Sequence, residues 1–130
     1  MSIHVSVICS TEGECAVLTA PDVLERGVVI TAQAGNAESL AAVLLRDQPD
    51  VVLLELADGD GRALELIAQA LCQAPATHLV LVSPEHSEDF LLRAMRAGVR
   101  EVMAGPMSPL TVQLALKHAL LNTADSSRRV

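Results

Sequence analysis

Between Pro49 and the DGDG turn at Asp58–Gly61, the chain runs Asp50-Val-Val-Leu-Leu-Glu-Leu56, with Val51 to Leu54 unbroken by any polar residue. A strand wet on one face alternates apolar and polar side chains. A continuous apolar run of strand length belongs to a strand covered on both faces, as in a parallel sheet. Parallel neighbours cannot be joined by tight hairpins and need crossovers of a dozen or more residues, usually helices. This one segment therefore constrains the rest of the chain to alternate strand and helix.

The alternation is present. Ile3 to Cys9 (IHVSVIC) alternates as a strand does, and a helical stretch is expected within Glu14 to Arg26, with Pro21 starting or kinking one of its turns. Gly27 precedes a second strand, VVITAQAG. Asn36 is placed to cap a helix over ESLAAVLLRDQ, which stops before Pro49. After the DGDG turn, whose Asp58 and Asp60 suit left-handed backbone, RALELIAQALCQA sets Leu64, Ile67, Ala68 and Leu71 on one side of a helix. His78 to Ser83 (HLVLVS) reads as a fourth strand and Ser87 to Ala97 as the fourth helix, ended by Gly98. Val99 to Ala104 is a short fifth strand, and Ser108 with Pro109 opens a last helix.

The pattern is (βα)5: an α/β fold with a doubly wound, five-stranded parallel sheet, helices on both faces and right-handed crossovers. At 130 residues it is one domain. We place that domain at residues 1–121, with 122–130 (NTADSSRRV) a flexible tail or the start of a linker to a missing domain. In such sheets ligands sit at the carboxyl ends of the strands, so function is expected at the ends of strands one, three, four and five.

Composition removes several classes. The single aromatic residue, Phe90, cannot build a stacking platform for single strands, and nine Lys plus Arg against sixteen Asp plus Glu leave a net charge of −7. Direct nucleic-acid binding is not expected. No apolar run reaches the roughly 20 residues a bilayer span needs, and the start lacks a basic n-region, so a cytoplasmic chain is expected. Cys9, Cys15 and Cys72 share no C-x-x-C spacing and suit reduced thiols; Cys9 and Cys72 are read as small core residues. His4, His78, His86 and His118 form no i, i+4 metal pair, no phosphate-binding loop of the G-x-x-x-x-G-K-[ST] type occurs, and neither Ser10 nor Cys9 has a His at triad spacing. Neither a metal nor another cofactor is expected.

The strand ends carry Asp50-Val-Val-Leu-Leu-Glu55-Leu56, then Asp60-Gly61, then Val82-Ser83, then Arg93-Ala-Met-Arg-Ala-Gly98-Val-Arg-Glu-Val, and finally Gly105-Pro106-Met107-Ser108-Pro109. In this order, over residues 1 to 121, the sequence resembles the receiver domain of two-component signalling, which implies the flavodoxin-like strand order 2-1-3-4-5. The resemblance implies a phospho-accepting Asp at the end of strand three, where this chain has Glu55. It implies an acidic Mg²⁺-binding pair after strand one, where Cys9-Ser10-Thr11 stands, with Glu12 and Glu14 further along. Ser83 matches the hydroxyl after strand four. Gly105 occupies the position of the lysine before the proline, and the only lysine, Lys117, lies far into the last helix.

Phosphoryl transfer depends on positioning and charge neutralisation, and Mg²⁺ usually needs one or two carboxylates beside the phosphate oxygens. The expectation is therefore a pseudo-receiver that is not an enzyme, whose degenerate site comprises Cys9, Ser10, Glu55, Ser83 and Gly105. Two readings of Glu55 stay open: a built-in mimic of a phosphorylated residue, or a relic carboxylate at the mouth of the sheet. Ser83, before Pro and Glu, is expected to cap the following turn.

The last two helices have apolar arcs wider than one side of a sheet needs: Leu110, Leu114 and Leu121 line one face, and Val112, Leu116, Ala119 and Leu120 another. In receivers the fourth helix, fifth strand and fifth helix form the dimer and output face. The resemblance thus implies a homodimer or protein partner through Phe90, Arg93, Arg96, Met103, Leu110, Leu114, Lys117 and Leu121. The run from Arg93 to Met103 and the lost site residues look most like the N-terminal domain of TadZ/CpaE proteins of Flp-type pilus assembly. That likeness implies a ParA/MinD-like ATPase domain in the same chain and a place at the cell pole. The alternative is a phospho-accepting receiver controlling an output domain such as a transcription factor.

Overall fold

The computed structural model describes residues 3–9, 28–56, 61–84, 86–104 and 107–128. Five strands form one parallel sheet: β1 (Ile3–Cys9), β2 (Val28–Ala34), β3 (Val51–Glu55), β4 (His78–Ser83) and β5 (Glu101–Ala104), in the order β2-β1-β3-β4-β5. This is the expected order, with the unbroken apolar run at its centre. Val51 to Leu54 are all buried, and β3 pairs Val52 with Ser6 on one side and Leu79 on the other. Four described helices follow: α1 (Leu40–Asp47), α2 (Gly61–Cys72), α3 (Glu88–Ala97) and α4 (Pro109–Arg128). The last two are the fourth and fifth helices read from the sequence.

Because strand side chains alternate, β1 and β3 feed two cores. Ile8, Val52 and Leu54 point to one face and pack with Leu40, Ile67, Leu71, Phe90 and Ala94 of α1, α2 and α3. Val5, Val7 and Leu53 point to the other and meet Val112, Ala115, Leu116 and Ala119 of α4. The core contains aliphatic and small residues with Phe90 as its one ring, which fits a chain of 51% hydrophobic residues and 1% aromatics.

Helix ends follow their signals, with two differences. Asn36 caps as expected, its side-chain oxygen accepting from the Glu38 amide at 2.9 Å, but the first turn, Ala37–Ser39, is 3₁₀ before α1 begins. The N-cap of α3 is Ser87, whose hydroxyl accepts from the Phe90 amide, while Ser83 ends β4, buried, in register with Ala104 of β5. The backbone of the last helix continues to Arg128, past the loose tail expected from residue 122, since neither Gly nor Pro interrupts residues 110–128. The helix expected within Glu14 to Arg26, with Cys15, lies outside the described residues. Cys9 is buried as expected, but Cys72 is exposed: as the last residue of α2 it follows Leu71, which takes the inward position.

Candidate functional site

The carboxyl ends of the strands form a mouth at one edge of the molecule. Glu55, the last residue of β3, stands in register with Val82 of β4, and Ser83 stands beside Ala104 of β5. Sheet pairing alone therefore brings Glu55 and Ser83 to adjacent strand ends, although 28 positions separate them in sequence. Cys9 is at the end of β1 and wholly buried, with Gly35 donating its amide to the Cys9 carbonyl at 2.9 Å.

Glu55 is half-buried, and its Oε2 accepts a hydrogen bond from the Met107 backbone amide at 3.3 Å. Met107 is buried against the α4-side core, and the next residue, Ser108, caps α4 by accepting from the Thr111 amide at 3.2 Å. A carboxylate at the mouth thus reaches the turn that launches the last helix. Beside it, the His86 ring donates from Nε2 to the Ser83 carbonyl at 3.0 Å, holding the start of the β4–α3 connection.

Ser10 and Gly105, with Thr11, Glu12, Glu14, Asp58 and Asp60, lie outside the described residues. Among the described residues the mouth supplies one carboxylate, Glu55, and no group of three His, Cys, Asp or Glu side chains that could hold a metal ion. Among the described residues, the one carboxylate there that a Mg²⁺ ion of the kind the receiver resemblance implies could use already accepts from a backbone amide.

Away from the mouth, the residues expected to form a partner face divide into two groups. Leu110 and Leu114 are 64% and 40% exposed, on the side of α4 opposite Val112, Ala115, Leu116 and Ala119. Lys117 continues that outward stripe, and Arg93 and Arg96 are exposed on α3. Phe90, by contrast, is 7% exposed and belongs to the core; with Ala94 one turn later it is the residue by which α3 grips the sheet. Met103 is half-buried against the α4-side core. The Leu121 side chain is outside the described residues.

Sequence reasoning read a wide apolar arc over Phe90 to Met95 but did not count Leu92 and Met95 in the partner face; they are exposed at 51% and 67% on α3. The signal was available, because once Phe90 and Ala94 face inward at i, i+4 spacing, positions 92 and 95 must turn outward. It also missed a contact at the far end of the sheet, where His118 of α4 meets Glu101 at the start of β5, with Nδ1 2.5 Å from Oε1. Residues seventeen apart in sequence carry no spacing rule that would pair them.

No protein-family model matches the chain. Over 84 residues, 65% of its length, it is 33% identical to the alginate biosynthesis transcriptional regulatory protein AlgB of Pseudomonas aeruginosa. That match covers 19% of AlgB, so the chain spans about a fifth of the curated relatives it matches. Among solved structures, a CheY-like response regulator receiver domain from Methanospirillum hungatei superposes with a TM-score of 0.77, covering 97% of this chain and 99% of that one at 16% identity. The chain folds as a CheY-like receiver domain. Within that fold it is also similar to a protein of Burkholderia thailandensis described as the pilus assembly protein CpaE. The two share a TM-score of 0.71 and 28% identity, over 91% of this chain and 98% of that one. The receiver mouth described above, with Glu55 held by Met107, is therefore the place where receivers of this fold are to be compared.

Proposed function

We propose that this receiver-like domain works without phosphorylation, as a protein-docking module of pilus assembly that catalyses no reaction itself. The observation that carries the reading is the hydrogen bond from the Met107 amide to Glu55, which occupies the mouth's described carboxylate with the protein's own backbone. A carboxylate so engaged links β3 to the start of α4 with no incoming group, which supports a fixed rather than a switched arrangement. The likeness to CpaE, at 28% identity over nearly the whole chain, supports the cellular setting. The exposed side chains on α3 and α4 supply a surface for partners, among which an ATPase domain of the same protein and a second copy are both candidates. On this reading the module acts in the cytoplasm at the cell pole, and no described helix is long and apolar enough to cross a membrane.

The similarity to AlgB favours a second reading, a phospho-accepting receiver that controls an output domain. Light scattering across concentrations, with and without Mg²⁺ plus beryllofluoride, separates the two. A mass and a circular dichroism spectrum indifferent to the additive are expected. A change in mass, or protection of the β5–α4 turn from hydrogen exchange on adding it, would overturn the proposal in favour of the phospho-switch.

A further inference from the structure

The two edge strands of the sheet are protected unequally. β5 has 4 residues and opens on a charge, Glu101, which His118 contacts from α4. β2, at the other edge, is a 7-residue run of Val-Val-Ile-Thr-Ala-Gln-Ala without a charge, a proline or a glycine. It has no bulge either, since its register with β1 continues unbroken from Ile3 opposite Val28 to Cys9 opposite Ala34. Edge strands are ordinarily kept short, charged, bulged or broken by proline, because an open row of N–H and C=O groups recruits another strand. β2 carries none of these devices.

One bond fixes which backbone groups face outward. The Gly35 amide donates to the Cys9 carbonyl at 2.9 Å, and in a parallel ladder alternate residues address the same neighbour. Val29, Thr31 and Gln33 therefore turn their N–H and C=O toward β1, whereas Val28, Ile30, Ala32 and Ala34 turn theirs away from it. Among the described residues no strand lies on that side. The side chains of Val28, Ile30 and Ala32 pack on the α4-side core. Val29, 46% exposed, Thr31 and Gln33 share the opposite face, where Arg46 of α1 reaches the Gln33 side chain.

A second copy turned about a two-fold axis through Thr31 uses every outward group. Ile30 then stands opposite the second copy's Ala32, and Val28 opposite its Ala34, each pair exchanging two N–H···O bonds. On the α4 side large side chains thus face small ones, and on the other Thr31 meets its own copy, a favourable cross-strand pair. Charge does not oppose the contact, because β2 has none and Arg46, beside it, is paired with Asp47 at 2.9 Å. We propose that the β2 edge is a self-association site, at which two copies join β2 to β2 antiparallel into one continuous sheet. This edge is remote from the exposed side chains of α3 and α4, so a dimer formed here leaves them open to a different partner.

Light scattering of the full chain across concentrations reads the association, and cysteine cross-linking reads its register. In a Cys15→Ser/Cys72→Ser background, Thr31→Cys sets two thiols on the axis, where facing Cα atoms fall within the roughly 4.4–6.8 Å that a disulfide spans. Val29→Cys, at a more exposed position, sets its two thiols four residues apart along the pair, about 13 Å. A dimer is expected at high concentration, with Thr31→Cys linking at least about tenfold faster than Val29→Cys under mild oxidation. Thr31→Lys and Thr31→Glu should each be monomeric, through like charges facing across the axis, and should re-form the dimer when mixed.

A chain that is monomeric at every concentration would leave the edge to a strand of another protein and overturns the inference. Equal cross-linking of the two cysteine variants overturns the register and with it the proposed site. So does a dimer that survives Thr31→Lys and dissociates in Leu110→Ser/Leu114→Ser.

Discussion

Met107 donates its backbone amide to Oε2 of Glu55 across 3.3 Å, tying the last residue of the central strand to the turn that starts α4. The bond is at the long end of the range for N–H···O contacts, so its net worth is modest. Its consequence is positional. Met107 is buried and Ser108 caps the helix, so whatever holds Met107 also sets where the exposed stripe of α4 begins.

Glu55→Gln keeps an oxygen acceptor at the same reach, whereas Glu55→Ala leaves the half-buried amide of Met107 without this partner. We expect Glu55→Ala to lose about 1 kcal/mol in urea unfolding and Glu55→Gln to stay within about 0.5 kcal/mol of wild type. A Glu55→Gln variant as unstable as the alanine one would show that the contribution of Glu55 does not run through this acceptor.

Leu114 and Leu116 lie two positions apart on α4 yet face solvent and core respectively. Leu116→Ala should cost about 2–5 kcal/mol through the lost burial and the cavity it leaves. Leu114→Ala should change stability by no more than about 0.5 kcal/mol. Equal losses in chemical denaturation would mean that the stripe is covered within the chain and is no docking surface.

Much of this arrangement was legible in the sequence where a local rule applied. The unbroken run Val51–Leu54 implied a doubly covered parallel strand, and Asn36, Ser87, Gly98 and Ser108 marked helix ends because caps and stops act over a few residues. The mouth was legible in part: resemblance brought Glu55 and Ser83 together, but not the Met107 amide, because backbone donors leave no trace in residue identity. Phe90 was misplaced on the partner face because a wide apolar arc does not reveal its own phase. Only packing against Leu54, Leu79 and their neighbours decides which third of the arc turns inward. His118 and Glu101 meet through the tertiary placement of α4 alone.

Gly98 tests the junction of α3 and β5. Its φ of 105° lies where side chains are disfavoured, and a Cβ added there would sit 3.1 Å from Cδ1 of Leu71. Strain and crowding act together, so Gly98→Ala should destabilise by about 1–2 kcal/mol in thermal or urea unfolding. A neutral or stabilising result would show that the junction relaxes freely.

His78 gives the fold a dependence on acid. Burial holds its pKa below the usual histidine value, the nearby Arg100 charge acts in the same direction, and Glu101 opposes both more weakly. Its Nε2 is buried with no hydrogen-bond partner, so a proton added there would gain a charge without an acceptor. The folded chain therefore resists a proton that the unfolded chain accepts. Stability from this residue is complete above the ordinary histidine pKa of about 6.5 and is lost as pH falls below it, until the lower folded value is passed. His78→Leu removes the titrating group while keeping an apolar side chain in the same space, and it leaves the His118–Glu101 contact in place. The variant should lose less stability than wild type between pH 7.5 and about 5 in parallel urea titrations. Identical pH slopes in the two proteins would assign the acid sensitivity to other groups.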